Sequence, residues 1–85
     1  MQKRYVDTIV HISDEGIATP QQIRAGYDGE WVKIERAKND GIKPSIVAGG
    51  IGIRYICDIT YQGEPRKIYV FRDNERWFIE VDDDG

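Results

Sequence analysis

Apolar and polar residues alternate along most of this chain with a period of two, the period of a strand that buries one face. From Tyr5 to Ile12 the pattern sets Val6, Val10 and Ile12 on one side and Asp7 and His11 on the other, and Asp14-Glu15-Gly16 comes next as a turn. Thr19-Pro20-Gln21-Gln22 has the form of a capped helix start, but Ile23, Ala25 and Tyr27 alternate and Asp28-Gly29 comes at once. That dipeptide is a preferred centre for a tight hairpin. A two-residue turn there sets Ile23 opposite Ile34 and Ala25 opposite Val32, so four apolar residues share a face. Gln22, Arg24, Lys33 and Glu35 share the reverse, with Trp31 as the exception. Residues 21–36 are therefore expected to form a β-hairpin.

The second half of the chain repeats the pattern. A turn at Gly63-Glu64 sets Ile59 opposite Ile68 and Cys57 opposite Val70; a turn at Asp73-Asn74 sets Val70 opposite Trp77 and Ile68 opposite Ile79. Both turns yield one apolar face holding Ile53, Tyr55, Cys57, Ile59, Ile68, Val70, Trp77, Ile79 and Val81, the core side of a three-stranded meander. Between the halves, AKNDGIKPSIVAGG (37–50) has no period and is broken by Asp40-Gly41, Pro44 and Gly49-Gly50. It reads as a crossover loop with one helical turn around 45–48. With no long helix to cover a sheet face, the expected fold is all-β: a single small antiparallel barrel or highly curled sheet of five to six strands, built from the β-hairpin plus the three-stranded meander, with a sandwich as the alternative.

Eighty-five residues close only one apolar core, so 1–85 reads as one domain with a solvated acidic tail at 82–85. Fifteen acids against twelve bases give a net charge of -3, the wrong overall sign for a protein that lives on a nucleic-acid backbone. One cysteine, Cys57, allows no internal disulfide, and with the single His11 it excludes the Cys/His zinc frameworks. A reducing cytoplasm fits best. Met1-Gln2-Lys3-Arg4 is basic like the start of a signal peptide, but Asp7 and His11 interrupt the apolar residues after it. Nothing approaches the roughly 18 apolar residues needed to span a membrane.

The glycine cluster in AGGIGIRYICDITYQ (48–62) invites a phosphate-loop reading, but the amides of such a loop sit at a helix N-terminus after a strand. Here the order is inverted, and neither the G-x-G-x-x-G spacing nor a closing lysine is present. Gly49, Gly50 and Gly52 are expected instead to permit unusual dihedrals, a bulge or a close strand crossing. Cys57 faces the apolar side, where a thiol acts as a small hydrophobe and its pKa rises. His11 falls on a polar side with no nucleophile tied to it by any motif. Pairs such as Asp14 with Glu15, or Asp7 with Asp58, carry no feature that singles them out as an acid/base dyad. Asp82-Asp83-Asp84 lacks the ligand spacing of a calcium loop. No catalytic, cofactor or metal residue is assigned.

The second face of the meander carries the functional expectation. Ile56, Tyr69, Phe71 and Phe78 gather there beside Arg54, Lys67, Arg72 and Arg76, an aromatic and basic surface. It can be a second core layer covered by the first hairpin, whose Trp31 and Tyr27 need partners, or by the segment 37–48; it can be a dimer interface; it can bind a protein; or it can stack single-stranded bases. The acidic balance disfavours nucleic acid, and Asp58, Glu64, Asp73 and Glu75 are interleaved with the bases. The expectation is a non-enzymatic module for protein interaction or self-association, without a cofactor and with no membrane role. Single-stranded nucleic-acid binding and a small hydrolytic enzyme are the alternatives.

The order of residues also resembles a set of small uncharacterised bacterial proteins that share a G-G-x-G-x-R-Y-x-C-x-I segment, here Gly49 to Ile59, and a closing W-F-x-E, here Trp77 to Glu80. Their T-P-x-x-I…D-G hairpin is matched by Thr19 to Ile23 and Asp28-Gly29. The likeness spans most of the chain and implies a single complete domain, but it brings no activity, cofactor or partner. The chain departs from the pattern in a more polar segment at 37–44, which leaves the conformation of 37–50 open.

Overall fold

A computed structural model describes residues 2–45 and 49–82. The alternating segments form seven strands: β1 (Gln2–Tyr5), β2 (Thr8–Ile12), β3 (Ala18–Arg24), β4 (Trp31–Pro44), β5 (Ile51–Tyr61), β6 (Glu64–Asp73) and β7 (Arg76–Val81). They pair antiparallel in one sheet of order β1-β7-β6-β5-β4-β3-β2. The all-β class and the curled antiparallel sheet agree with the sequence reading; the number of strands is seven, not five to six.

The difference arises in residues 2–12. Instead of one strand from Tyr5 to Ile12 there are two, and they serve opposite ends of the sheet: Tyr5 pairs with Phe78 on β7, while Thr8 pairs with Ile23 on β3. Val6 N–H donates to the Trp77 carbonyl at 2.9 Å, and Asp7 C=O accepts from Arg24 N–H at 2.9 Å. Two residues thus link the first and last strands of the sheet order. An open flat sheet of seven strands, spaced about 4.8 Å apart, would hold those ends far apart, so the sheet has to curl.

All three expected hairpins form, and each pairs two residues away from the register given by its assigned turn. Ile23 lies opposite Val32, Cys57 opposite Ile68, and Val70 opposite Ile79. A slip of two leaves every side chain on its face, which is why the core was legible although the pairing was not. Turn chemistry supplies the true register. Gln62 and Gly63 both adopt positive φ, 52° and 79°, so they form the β5–β6 turn in place of Gly63-Glu64. Asn74 has φ 57° and turns the chain between Asp73 and Arg76. Asp28 and Gly29 also have positive φ, but a short 3-10 turn at Tyr27–Gly29 lengthens the connection beyond two residues.

Segment 37–50 is the largest correction. Residues 37–44 are not a crossover loop: they continue β4 and pair with β5 as far as Pro44 opposite Ile51. The missing period is explained by two shifts of register, at Ile34/Arg36 and Asn39/Ile42. Each bulge inverts the in-out alternation and bends the strand. Gly41, with φ 83°, takes the left-handed position in the second, and its N–H donates to Asn39 Oδ1 at 2.8 Å. The expected helical turn falls mainly on 46–48, outside the described residues, as do 83–85 of the acidic tail.

The inner face of the curl is the main core: Ala18, Ile23, Val32, Ile34, Tyr55, Cys57, Ile59, Val70 and Trp77. The Tyr55 ring is tilted against Trp77, ring centres 5.4 Å apart, and its hydroxyl donates to the Ala18 carbonyl at 2.8 Å. Burial raises the Tyr55 pKa, so this donor stays protonated. Burial also pushes the Cys57 thiol up to about 12, in keeping with an inert core residue.

Candidate functional site

The outer face of the meander divides into a covered and an open part. Phe71 and Phe78 pair directly across β6 and β7, stack with centroids 4.9 Å apart and planes 2° from parallel, and are 1% and 0% exposed. Tyr5 on β1 meets Phe78 edge-on at 5.6 Å, and the Lys3 ammonium lies 5.1 Å from the centre of the Phe78 ring. Ser45, which follows β4, reaches over the same face. Ser45 is buried and donates its hydroxyl to Glu80 Oε2 on β7 at 2.7 Å, although Pro44 just before it pairs with Ile51 two strands away.

The glycines make this fold-back possible. Gly49 and Gly50 have φ of 79° and 91°, and the Gly49 N–H donates to the Ser45 carbonyl at 2.8 Å. At Gly52 a β-carbon would stand 2.4 Å from the Arg72 backbone oxygen, a distance no side chain can accept. The cluster shapes the backbone, as its position at a strand entry implies.

The eight expected partner-facing residues therefore have different fates. Phe71 and Phe78 are interior. Arg72 belongs to the other face, because it alternates with Val70: its Cα partners are Ile53 and Trp77, and its guanidinium lies 5.8 Å from the Trp77 ring centre. Arg54, Ile56, Lys67, Tyr69 and Arg76 do share the outer face. Their charges are largely engaged. Arg54 covers the Tyr69 ring at 4.5 Å and holds Asp40, Nε to Oδ2 2.8 Å. The hydrogen bond from Arg54 keeps the Asp40 carboxyl below its usual pKa. Arg76 lies 3.4 Å from the centre of Tyr5, and Lys67 stands 3.5 Å from Asp58. Tyr69, 43% exposed, is the largest ring of the set that water reaches.

A second surface escaped the sequence reading. Ile42 and Ile51 are 73% and 62% exposed. Ile42 pairs with Ile53 and Pro44 with Ile51, so the two isoleucines are diagonal neighbours on one side of the hairpin. With Ile53, Gly52 and Arg72-Asp73-Asn74 they line a shallow basin of about 450 Å³. This is the same side of β5 as the core, but here the hairpin bends away and turns it to solvent. The signal was present: once Asp40-Gly41 is read as a bulge inside a strand, Ile42 lands on the Ile53 face.

The other candidates are dispersed. His11 is exposed on β2, Asp7 lies 3.8 Å from Arg24, and Asp14 and Glu15 occupy an exposed turn. Among the described residues no group of three or more His, Cys, Asp or Glu is placed to hold a metal ion, and no helix is long and apolar enough to cross a membrane. No family model, curated protein or solved structure matches the chain.

Proposed function

We propose that the chain is a non-enzymatic interaction module that associates through the isoleucine side of the bent β4–β5 hairpin, with a second copy of itself as partner. One observation carries this reading: Ile42 and Ile51 stand together in water at the rim of a basin that continues the apolar face of the core. Exposed apolar groups in contiguous patches mark contact surfaces, whereas single scattered ones do not. A two-fold axis needs only one such patch, since the same surface serves both copies. A small domain with a thin core also gains stability from association. The aromatic and basic face offers less to single-stranded nucleic acid, because Phe71 and Phe78 are buried and Arg76 and Arg54 already occupy the faces of Tyr5 and Tyr69.

Sedimentation equilibrium over a concentration series tests the proposal. The wild-type chain is expected to show a reversible dimer whose melting temperature rises with concentration, and the Ile42→Lys/Ile51→Lys variant a monomer with an unchanged circular dichroism spectrum and a melting temperature independent of concentration. A wild-type monomer at every concentration up to the solubility limit, or a double variant that still dimerises, overturns it.

A further inference from the structure

At the opposite end of the curl the core is left unfilled. The inner faces of β3, β4, β5, β6 and β7 enclose a cavity of about 300 Å³ that opens to solvent. This is the lower limit of volumes that hold small ligands, and the mouth of a curled sheet is a common place for them. Its floor is Ile23, Val32 and Ile59, all buried, and Ile68 and Ile79 line its sides. Apolar lining at an open mouth is exposed to water, and a guest that covers it gains the free energy of burying that surface. The mouth therefore has room and a physical reason for an apolar guest.

Two of the polar groups at the cavity are donors. Tyr61 and Arg66 line it, and both occupy inward positions: Tyr61 alternates with Ile59, and Arg66 with Ile68. The Tyr61 oxygen accepts the Tyr27 N–H at 2.8 Å, which fixes the ring and leaves the phenolic proton to donate. Arg66 gives one Nη2 contact to Glu64 at 3.3 Å, which engages only part of a guanidinium with five N–H donors. Glu80 also borders the cavity, but its Oε2 is taken by Ser45 on the outer face. A greasy floor under a phenol and a guanidinium matches a guest with an apolar body and an anionic, acceptor-only head.

We propose that the cavity is a binding site for a small aliphatic carboxylate, its chain on Ile23, Ile59, Ile68 and Ile79 and its head group on Arg66 and Tyr61. The site lies at the other end of the sheet from the Ile42–Ile51 surface and operates independently of dimerisation. The carboxylate competes with Glu64 for the guanidinium, so affinity is set by how readily that exposed pair opens. Chain length selects the guest, because a short acid leaves the floor uncovered.

The test is isothermal titration calorimetry and isoleucine-methyl NMR of the intact chain with octanoate, using octylammonium, octanol and acetate as comparisons. Octanoate is expected to bind and to shift the methyls of Ile23, Ile59, Ile68 and Ile79, with the comparisons at least tenfold weaker. Arg66→Gln should weaken octanoate at least tenfold at an unchanged melting temperature. Glu64→Gln, which frees the guanidinium, should tighten it severalfold. Ile68→Trp, which fills the space, should abolish binding; its fold is checked by the methyl spectrum. Absence of methyl shifts with octanoate at millimolar concentration, octylammonium binding as tightly as octanoate, or Arg66→Gln binding like wild type each overturns the proposal.

Discussion

Replacing Phe71 with alanine asks whether the outer face of the meander is a second layer of core. The ring is 1% exposed, stacks on Phe78 at 4.9 Å, and lies on the face crossed by Ser45. Truncating a buried phenylalanine costs about 3–5 kcal/mol, and loss of the ring pair accounts for about 0.5–1.5 kcal/mol of the upper part of that range. A domain of this size has a total stability on the order of 5–10 kcal/mol. With a urea m-value of about 1 kcal/mol per M, a loss of 3 kcal/mol lowers the midpoint by roughly 3 M. Urea titration followed by far-ultraviolet circular dichroism and by tryptophan fluorescence measures it. Should the alanine variant be unfolded in buffer, Phe71→Leu gives a graded value, expected near 1–2 kcal/mol. Tyr69→Ala is the internal control, two residues along the same strand and face but 43% exposed, and should cost under about 1 kcal/mol. A loss below about 1 kcal/mol for Phe71→Ala, or equal losses at the two positions, refutes the covered layer.

Two further expectations come from the backbone and the core. Gly52→Ala should destabilise the fold by about 1–3 kcal/mol, because its β-carbon meets the Arg72 carbonyl oxygen, whereas Gly63→Asn, at a left-handed turn position open to solvent, should change the melting temperature little. Cys57 should resist thiol reagents in the native state and react fully once urea unfolds the chain. Its folded pKa of about 12 lies above the ordinary 9.0, so its contribution is complete below pH 9 and is lost as pH rises from 9 towards 12. The slope is at most about 1.4 kcal/mol per pH unit and should flatten in Cys57→Ala; an unchanged slope refutes the burial argument.

What the sequence disclosed was the side on which each residue faces. Alternation alone places Ile53, Tyr55, Cys57 and Ile59 inward, and the structure keeps them there. Alternation fixes pairing only to within an even number of residues, and the turns had to be assigned from composition: positive φ falls on Gln62-Gly63 and on Asn74 rather than on the pairs expected, and although Asp28 and Gly29 do adopt it, a 3-10 turn from Tyr27 lengthens that connection. Residues 37–44 looked like a loop because one bulge resets the period just before them, at Ile34/Arg36, and a second resets it within them, at Asn39/Ile42. The division of 2–12 into two strands depends on partners that lie at opposite ends of the sheet, and no local pattern records that. The same limit applied to the site. The aromatic and basic character of the outer face was visible, but its cover was not, since Ser45 reaches Glu80 only after the hairpin bends. Arg72 was misplaced although its spacing from Val70 already set it inward.

The pairing of β1 with β7 also dictates the order in which the molecule can assemble. Hairpins β2–β3, β4–β5 and β5–β6 join near neighbours along the chain, but the four-residue strand β1 finds its partner in β7. Closing so long a loop carries the largest entropic penalty and is repaid only when the rest is in place. A nascent chain leaving the ribosome would therefore hold β1 unpaired until β7 emerged, so completion of the fold doubles as a check that synthesis reached that strand.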